Sequence, residues 1–431
     1  MHFQVKLNPL KPYSRSVSII GVGATPFMFT KDDPELNGLC EGELFGYAAI
    51  EAMKDAGITA KDVDFFIHAQ AGSTWQSQAG TPNLFVANWF GMKGKGSCHH
   101  SEACCTGYVA LQQAVHYVAS GAYDVVLSGA CDMSYSVAYP DKPWFMRRSG
   151  TDQMFRDALI SISPKDYTLA NCGAIDVHAE IWLDRYVYEN GIADKIDDVL
   201  CSLAIHSRRA AALNPLSLSK DTYDEVAHSY KMKDAHEFLR SKFNPFLGSY
   251  LRASGFEQRC DGAGVIIVCP TEIAHRYTDK PVEVLGFGHS CLELSTPRLE
   301  KYATEAAYKQ VSELTGLTGA DMDLFMTNDF HISSQFLAAE ACEYLPEGEG
   351  WKYALEGRMA FDGDRPVQTN GGRCHYGHAH GTSGIHDYYE VVKQMRGEMG
   401  STQVKKPVKY AMVRGYGGGQ NLTCAILKNK A

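Results

Sequence analysis

The sequence lacks the features of proteins that bind nucleic acid or span a membrane. No block of basic residues occurs, and 41 Lys and Arg are outnumbered by 50 Asp and Glu, which gives a net charge of −9. Binding to a phosphate backbone needs a basic patch or stripe. Nor does any uninterrupted apolar run reach the roughly 18 residues of a membrane-spanning helix. We therefore expect neither nucleic acid nor a membrane as a partner.

Signals for export and for a zinc ribbon are also missing. The first residues, MHFQVKLNPLKPYSRS, have no apolar core of the kind a signal peptide carries. We expect a cytoplasmic protein, in which the 13 cysteines stay reduced. None of them forms a C-x-x-C pair, so a structural zinc site within this chain is not expected. The cysteines then remain as packing residues, metal ligands or nucleophiles.

An internal repeat is the strongest signal for the architecture. VSIIGVGAT is echoed by VEVLGFGHS, and AGITAKDVDFFIH by TGLTGADMDLFMT. The paired glycines Gly21 and Gly286 are 265 residues apart, and Gly57 and Gly316 are 259 apart. Each copy alternates apolar strand-like runs with helical patterns, which is typical of α/β sheets covered by helices on both faces. The sequence therefore predicts two duplicated βαβαβ halves.

The repeat also predicts the domain boundaries. With 431 residues the chain has room for two or three domains. We expect an N-terminal extension over 1–14, an N-terminal half over 15–134 completed by 256–272, and a C-terminal half over 280–431. The segment 135–255 breaks the repeating pattern, and we expect it to be an inserted loop domain.

Two adjacent cysteines precede the long amphipathic run of the first half, in ACCTGYVALQQAVHYVASGA. The pattern predicts a helix from about Cys105 to Ala119, so the thiol of Cys104 lies at a helix N-terminus, where the helix dipole favours thiolate. In the second half the corresponding helix follows TNGGRCHYGHAHGT. Symmetry then places a histidine-rich turn opposite the cysteine turn, as a base beside a nucleophile. Inert packing cysteines and a cluster of Cys and His metal ligands are the alternatives.

These segments resemble those of the thiolases. ACCTG is similar to the family's nucleophile segment and selects Cys104; NGGRCHYGHAHGTSG is similar to its histidine segment and selects His378; CDGAGVIIV is similar to its Asp-Gly-Ala strand. DRYVYENGI and HSRRAAALNPLS resemble the loop domain of the sterol-carrier, or lipid-transfer, branch. The resemblance implies a five-layered αβαβα thiolase fold with an inserted loop domain.

The resemblance also implies a mechanism. His378 deprotonates Cys104, whose thiolate attacks the 3-oxo carbon of a 3-oxoacyl-CoA, and coenzyme A, the co-substrate, then takes the acyl group. Asn328 holds a water in one oxyanion hole, and the backbone N–H groups of Cys104 and Gly417 form the other. The implied partners are a second copy of the chain in a homodimer and a small zinc-ribbon/OB-fold subunit.

The sequence departs from the thiolase pattern at the second acid/base. The family's Cys-x-Gly cysteine falls on Gly415, and the cysteine of the sterol-carrier branch's His-Asp-Cys-Phe segment falls on Phe330. The candidates that replace it are His331, Cys374, His375 and His380. Each is close in sequence to a site residue that the resemblance implies, and we favour Cys374 or His375, because either side chain can point into the pocket beside His378.

The substrate implied by the resemblance is a bulky or aromatic 3-oxoacyl-CoA, of which benzoylsuccinyl-CoA is one, cleaved to benzoyl-CoA and succinyl-CoA. Arg147 or Arg148 is a candidate to bind a free carboxylate, although both fit a solvated surface pair equally well. Two other functions stay open: a carbon–carbon lyase (retro-aldolase) of the same fold, and a non-catalytic subunit of a hetero-complex.

Overall fold

The structure is a computed structural model that describes residues 9–71, 81–136, 174–291, 299–417 and 421–430. Within these ranges no helix combines the length and the apolar character needed to cross a membrane.

The first half alternates strands and helices as the repeat predicted. Its apolar runs become buried strands, and the helices between them bury one face on those strands. The elements are β1 (Val17–Ala24), α1 (Glu41–Asp55), β2 (Phe65–Ala69), α2 (Pro82–Val86), β3 (Gly96–His100), α3 (Thr106–Ala119) and β4 (Val126–Met133).

The inserted segment is helical where the structure describes it. Its helices are α4 (Ala174–Asn190), α5 (Ile196–Leu213), α6 (Tyr223–Ser229) and α7 (Ala235–Leu239). The chain then returns to the first half with β5 (Asp261–Pro270) and the short α8 (Thr271–Ala274). Arg147 and Arg148 lie outside the described residues, and the boundaries of the inserted domain stay a prediction.

The second half repeats the pattern of the first. Its elements are β6 (Val282–Cys291), α9 (Leu299–Thr315), β7 (Leu324–Thr327), α10 (Ser334–Ala341), α11 (Gly350–Leu355), α12 (Gly372–His375), α13 (Thr382–Arg396), β8 (Tyr410–Gly417) and β9 (Asn421–Asn429).

The order of the strands confirms the duplication. Among the described residues the strands are ordered β3-β2-β4-β5-β1-β6-β9-β8-β7, and β1 and β6 meet where Val17–Ile19 pairs with Val282–Val284. From this centre outwards, β1, β5, β4 and β2 correspond to β6, β9, β8 and β7. Val367 forms a parallel bridge with Phe325 of β7, in the place that β3 takes beside β2. The two halves are therefore related by a pseudo-twofold axis.

Helix contacts arrange these strands in layers. Helix α1 packs on β1, β4 and β5, and α9 packs on β6 and β9. Helices α3 and α13 contact each other, and between them they pack on the inner faces of both halves. The layers run from α1 to the strands of the first half, then to α3 with α13, then to the strands of the second half, and finally to α9. This is the expected five-layered αβαβα fold.

Glycines of the repeat allow β1 and β6 to lie close to the outer helices. A Cβ added to Gly23 would lie 2.2 Å from the carbonyl oxygen of Ala48 in α1. A Cβ added to Gly288 would lie 1.8 Å from that of Ala307 in α9. Neither distance is compatible with a side chain. The glycines of the repeated G-x-G segments are therefore required for close packing of strand on helix in both halves.

Candidate active site

Cys104 lies in a tight turn between the end of β3 and the first residue of α3. Glu102 N donates to Thr106 Oγ1 at 2.8 Å, and Thr106 Oγ1 donates to Ala103 O at 2.6 Å. Ala103 has φ of 49°, in the left-handed region that non-glycine residues rarely occupy. Such local strain concentrates at functional sites, because the surrounding structure must hold it in place.

The two adjacent cysteines differ in environment. Cys104 is partly exposed, whereas Cys105 is buried in the core with its Sγ 3.9 Å from Thr423 Oγ1. Burial, and after it the negative charge of Glu257, raise the pKa of the Cys104 thiol. Loss of solvation disfavours the thiolate, and the helix N-terminus, which the sequence predicts to favour it, acts in the opposite direction. Because its pKa is raised, the thiol of Cys104 needs a base in order to lose its proton.

His378 is fully buried in the turn before α13. Its Nδ1 lies 2.9 Å from Ser383 Oγ, which in turn donates to Ala379 O at 3.4 Å. Because Ser383 uses its proton on the carbonyl, we assign the imidazole proton to Nδ1 and leave Nε2 bare. Burial, followed by the positive charges of Arg373 and Arg259, holds the pKa of His378 well below its usual range. The histidine is thus neutral and able to accept a proton.

The cysteine turn and the histidine turn meet where the central helices begin. A Cβ added to Gly107 of α3 would lie 2.4 Å from Gly381 O, and one added to Gly384 of α13 would lie 2.9 Å from Tyr108 N. Asp132 at the end of β4 accepts from Thr382 N at 3.0 Å and fixes the same turn. The predicted approach of the two turns across the pseudo-twofold axis is present.

A fully buried ion pair ties the two helices together. Arg373 lies on α12, and its Nη1 donates to Asp387 Oδ1 of α13 at 2.9 Å. Arg373 Nη2 donates to the hydroxyl of Tyr108 on α3 at 2.6 Å. One guanidinium therefore links the helix that follows Cys104 to the helix that follows His378.

Asn328 and Gly417 lie on neighbouring segments at the ends of β7 and β8. Asn328 Nδ2 donates to Tyr416 O at 2.6 Å, and its Oδ1 is buried without a hydrogen-bond partner among the described residues. A Cβ added to Gly417 would lie 2.4 Å from Cys105 N, so the backbone of Gly417 runs against the cysteine turn. The free Oδ1 suits a water that donates to it.

The two positions without the usual second cysteine are filled by aromatic packing. A Cβ added to Gly415 would lie 2.6 Å from the ring of Tyr108. Phe330 is buried and stacks on Tyr416 with ring centroids 4.9 Å apart. Gly415 has no room for a side chain, and Phe330 has no group that transfers a proton.

Cys374 and His375 make contacts with the inserted segment. Cys374 Sγ lies 3.2 Å from Gly255 O, and His375 Nε2 lies 2.9 Å from the hydroxyl of Tyr223. Both side chains are buried, and burial lowers the pKa of His375 to about 3. Helix α12 directs these two side chains towards α6 and the end of the inserted segment, and a role of either one as the second acid/base stays a prediction.

His331 and His380, the remaining candidates, differ in their neighbours. The two ring nitrogens of His331 each lie 2.7 Å from a serine hydroxyl, those of Ser333 and Ser334. His380 lies beside His378, with its Nδ1 3.0 Å from Ser134 Oγ. Burial, followed by His378, lowers the pKa of His380 to about 3.

Sequence reasoning missed Glu257. Its Oε2 lies 3.2 Å from His378 Nε2, its Oε1 lies 3.9 Å from His380 Nε2, and Arg259 Nε donates to Oε1 at 3.2 Å. Glu257 precedes the Asp-Gly-Ala strand by a few residues, outside the motif itself. The one available signal was an acidic side chain next to a family motif.

Glu257, His378 and His380 are also the described group that could hold a metal ion. One ligand atom from each lies within 4.8 Å of the others. Arg259 already contacts the same carboxylate, and its charge lowers the pKa of both histidines. A second cation would have to overcome that positive charge.

Comparison with known proteins shows similarity to the thiolases, the family that the sequence motifs resemble. Residues 291–429 match the family "Thiolase C-terminal domain-like". The chain is 26% identical over 400 residues to an acetyl-CoA acetyltransferase of Methanothermobacter thermautotrophicus, covering 91% of this chain and 94% of that protein. It is also 26% identical over 420 residues to the benzoylsuccinyl-CoA thiolase subunit BbsB of Thauera aromatica, covering 94% and 95%.

Two solved structures have the same fold. The Ltp2-ChsH2(DUF35) aldolase superposes with a TM-score of 0.74 at 19% identity, covering 97% of this chain and 99% of that one. The Acat5 thiolase from Ascaris suum in complex with coenzyme A superposes with a TM-score of 0.65 at 15% identity, covering 96% and 100%. The duplicated layers, the paired turns and these likenesses agree, and the chain is a homologue of the thiolases.

Proposed function

We propose that the protein is a thiolase that transfers an acyl group from a bulky or aromatic 3-oxoacyl-CoA to coenzyme A through an acyl-enzyme on Cys104. The observation that carries this proposal is the approach of the Cys104 turn to the His378 turn, with the bare Nε2 of His378 unbonded among the described residues. The similarity to proteins named acetyl-CoA acetyltransferase and benzoylsuccinyl-CoA thiolase supports the reaction class.

The residues have distinct roles in the proposed reaction. His378 Nε2 takes the thiol proton of Cys104, and the thiolate attacks the 3-oxo carbon. The carbon–carbon bond breaks towards the thioester, which leaves as an enolate and must gain a proton. Coenzyme A then gives up its thiol proton and attacks the acyl-enzyme, and Cys104 departs as thiolate and recovers its proton from His378.

Negative charge develops on the substrate oxygen at each step and needs donors already in position. In the first oxyanion hole, a water that donates to the free Oδ1 of Asn328 would present its other proton to the oxygen. The second would use the backbone N–H groups of Cys104 and Gly417, which lie on adjoining segments. Losing one such donor typically costs about 10²- to 10³-fold in turnover.

The sheet edge and the names of two similar proteins support further proposals about the partners and the substrate. The strand β3 forms an outer edge of the described sheet, which suits pairing with a second copy in a homodimer. The DUF35 component in the name of one structural neighbour supports a small zinc-ribbon/OB-fold subunit. The similarity to BbsB supports an aromatic acyl group such as benzoyl. We place the protein in the cytoplasm, where coenzyme A is its co-substrate.

Acylation of the two cysteines tests the proposal. Incubation with benzoyl-CoA or acetyl-CoA should add one acyl mass to the peptide that contains residues 101–110, and mass spectrometry locates it. Cys104→Ser should abolish the label, and the matched control Cys105→Ser should keep it, because the Cys105 thiol is buried in the core. A label on Cys105 alone contradicts the assignment.

The retro-aldolase alternative gives the opposite result in the same variants. A lyase of this fold cleaves its carbon–carbon bond without consuming coenzyme A and without a covalent thioester. If Cys104→Ser retains cleavage of a 3-hydroxyacyl-CoA and wild type never becomes acylated, the lyase is the correct function.

A further inference from the structure

The thiolase reaction proposed above needs a second proton-transferring group, and the carboxylate of Glu257 lies where one is required. Glu257 N donates to Phe330 O at 3.0 Å, so Glu257 is bonded to the segment that follows Asn328. Its Oε2 lies 3.2 Å from Nε2 of His378. The group is therefore adjacent both to the proposed base and to one proposed oxyanion hole.

Access distinguishes Glu257 from the other candidates. Its side chain is 15% exposed, whereas those of Cys374 and His375 are 1% or less exposed and face the inserted segment. The negative charge of Glu257 also contributes to the raised pKa of the Cys104 thiol, which places the carboxylate within electrostatic reach of the nucleophile. Of the three side chains, that of Glu257 is the one open to solvent.

The geometry of the cluster suits passage of a proton from His378 to Glu257. With the imidazole proton assigned to Nδ1, Nε2 presents a lone pair near Oε2 of Glu257, 3.2 Å away. A proton that Nε2 takes up can be passed to the carboxylate over the distance of one hydrogen bond. Arg259 donates to Oε1, which leaves Oε2 as the oxygen next to Nε2.

We propose that Glu257 is the second acid/base of this enzyme, an inference that rests on the thiolase function proposed above. His378 takes the thiol proton of Cys104 and passes it to Glu257, which donates it to the α-carbon as the carbon–carbon bond breaks and the shortened acyl-CoA is released. The carboxylate of Glu257 then takes the thiol proton of coenzyme A, whose thiolate attacks the acyl group on Cys104. Glu257 returns this proton through His378 to the departing Cys104 thiolate, so all three side chains end the cycle as they began.

Glu257→Gln separates this role from that of Cys104. Thiolysis of a 3-oxoacyl-CoA probe, acetoacetyl-CoA or benzoylacetyl-CoA, should fall by about 10²- to 10⁴-fold, the usual contribution of a general acid or base. Alkylation of Cys104 by iodoacetamide should be at least as fast as in wild type, because the substitution removes a negative charge that opposes thiolate formation. A merely structural role would lower both rates together.

The acidity of the leaving group gives a second readout. Acylation of Cys104 by an S-acyl 4-nitrothiophenol, whose thiolate leaves without a proton, should be nearly unchanged in Glu257→Gln. Glu257→Asp retains a carboxyl group and should recover part of the thiolysis. His380→Gln, which changes the neighbouring group on the same cluster, should lower turnover by less than tenfold.

The outcomes separate this inference from the proposed function. If wild type is acylated on Cys104 and Glu257→Gln keeps near-normal thiolysis, Glu257 is not the acid/base and the thiolase assignment stands. A loss of alkylation in parallel with turnover, or a larger loss in His380→Gln than in Glu257→Gln, also overturns the inference. If wild type never acquires an acyl group, the proposed function itself fails.

Discussion

Helices α3 and α13 occupy equivalent places in the duplicated fold, yet the side chains that they bury differ in polarity. Apart from Thr106 and the hydroxyl of Tyr108, the buried residues of α3 are apolar or glycine. On α13 about half of the buried residues are polar or charged: Thr382, Ser383, His386, Asp387, Glu390, Gln394 and Arg396.

This difference fits the side chain that precedes each helix, a thiol before α3 and an imidazole before α13. A thiol needs only a fixed position, which the apolar packing of α3 provides. An imidazole also needs a defined tautomer and charge, which the hydrogen bond to Ser383 and the positive charges of Arg373 on α12 and of Arg259 supply. The two halves thus share an arrangement of elements, and the buried polar network lies in the half that contains His378.

The largest expected effect concerns the buried ion pair of the polar half. Arg373→Met leaves Asp387 without its cation in the interior and should lower the free energy of unfolding by about 3–5 kcal/mol. The double variant Arg373→Met/Asp387→Leu should regain part of this loss, because the unpaired charge is gone. In the apolar half, Leu111→Ala should cost a comparable 2–5 kcal/mol or so.

Urea unfolding of the three variants measures whether the loss of stability in each half can be rescued by a second substitution. A partner substitution rescues stability in α13, whereas the cavity left by Leu111→Ala has no charged partner whose removal could compensate. If the double variant is no more stable than Arg373→Met, the polar half is held by packing as the apolar half is.

A smaller effect is expected where the two halves touch. Gly107→Ala places a methyl group against Gly381 O, and overpacking of this kind costs about 1–3 kcal/mol. Since the contact lies between the Cys104 turn and the His378 turn, the rate at which iodoacetamide alkylates Cys104 should also change.

Two glycines that follow the outer helices serve as matched controls. Gly57 and Gly316 have φ of 66° and 70°, and a Cβ on either would meet no atom within 4 Å. Alanine at each should cost about 1–2 kcal/mol through the left-handed backbone alone. The rate of alkylation should stay unchanged in both, and a change there would show that the turns are not specifically coupled through Gly107.

The smallest expected effect is on how the free energy of unfolding depends on pH, which should differ between histidines of the two halves. Burial lowers the pKa of His386 on α13 to about 3, while its Nε2 donates to Ala263 O at 3.0 Å. An unfolded histidine titrates near 6.5 or so. Below that pH the unfolded chain binds a proton that the folded chain refuses, so stability falls by about 1.4 kcal/mol per unit as the pH drops.

Replacement of this histidine removes its contribution. His386→Gln should make the free energy of unfolding less dependent on pH between about 6 and 5, by the slope of one proton. Asp329 and Glu390 act in the opposite sense, because burial raises the pKa of each to about 7. His116→Gln on α3, a histidine whose pKa burial lowers less, is the matched control and should change the slope less. Equal slopes would contradict the assignment of the titrating groups to the polar half.

The sequence by itself determined the duplication, the fold class and the two turns that face each other. The repeat predicted β1 and β6. The G-x-G pair in each half is needed because the strand packs closely on its outer helix at Gly23 and at Gly288. Cys104 and His378 could be chosen from local motifs because each lies in the turn that precedes one of two equivalent helices. Hydrophobic periodicity and symmetry are local or repeated signals, so one chain is enough to reveal them.

Only the tertiary structure decided which groups surround His378. Cys374 and His375 are close to it along the chain, but the α12 turn directs them to Gly255 and Tyr223. Glu257 is more than a hundred residues away and reaches His378 because the chain returns from the inserted domain beside the histidine turn, where His378 N donates to Gln258 O at 2.7 Å. Proton transfer depends on distances of about 3 Å, and such distances are set by long-range packing that no local pattern encodes.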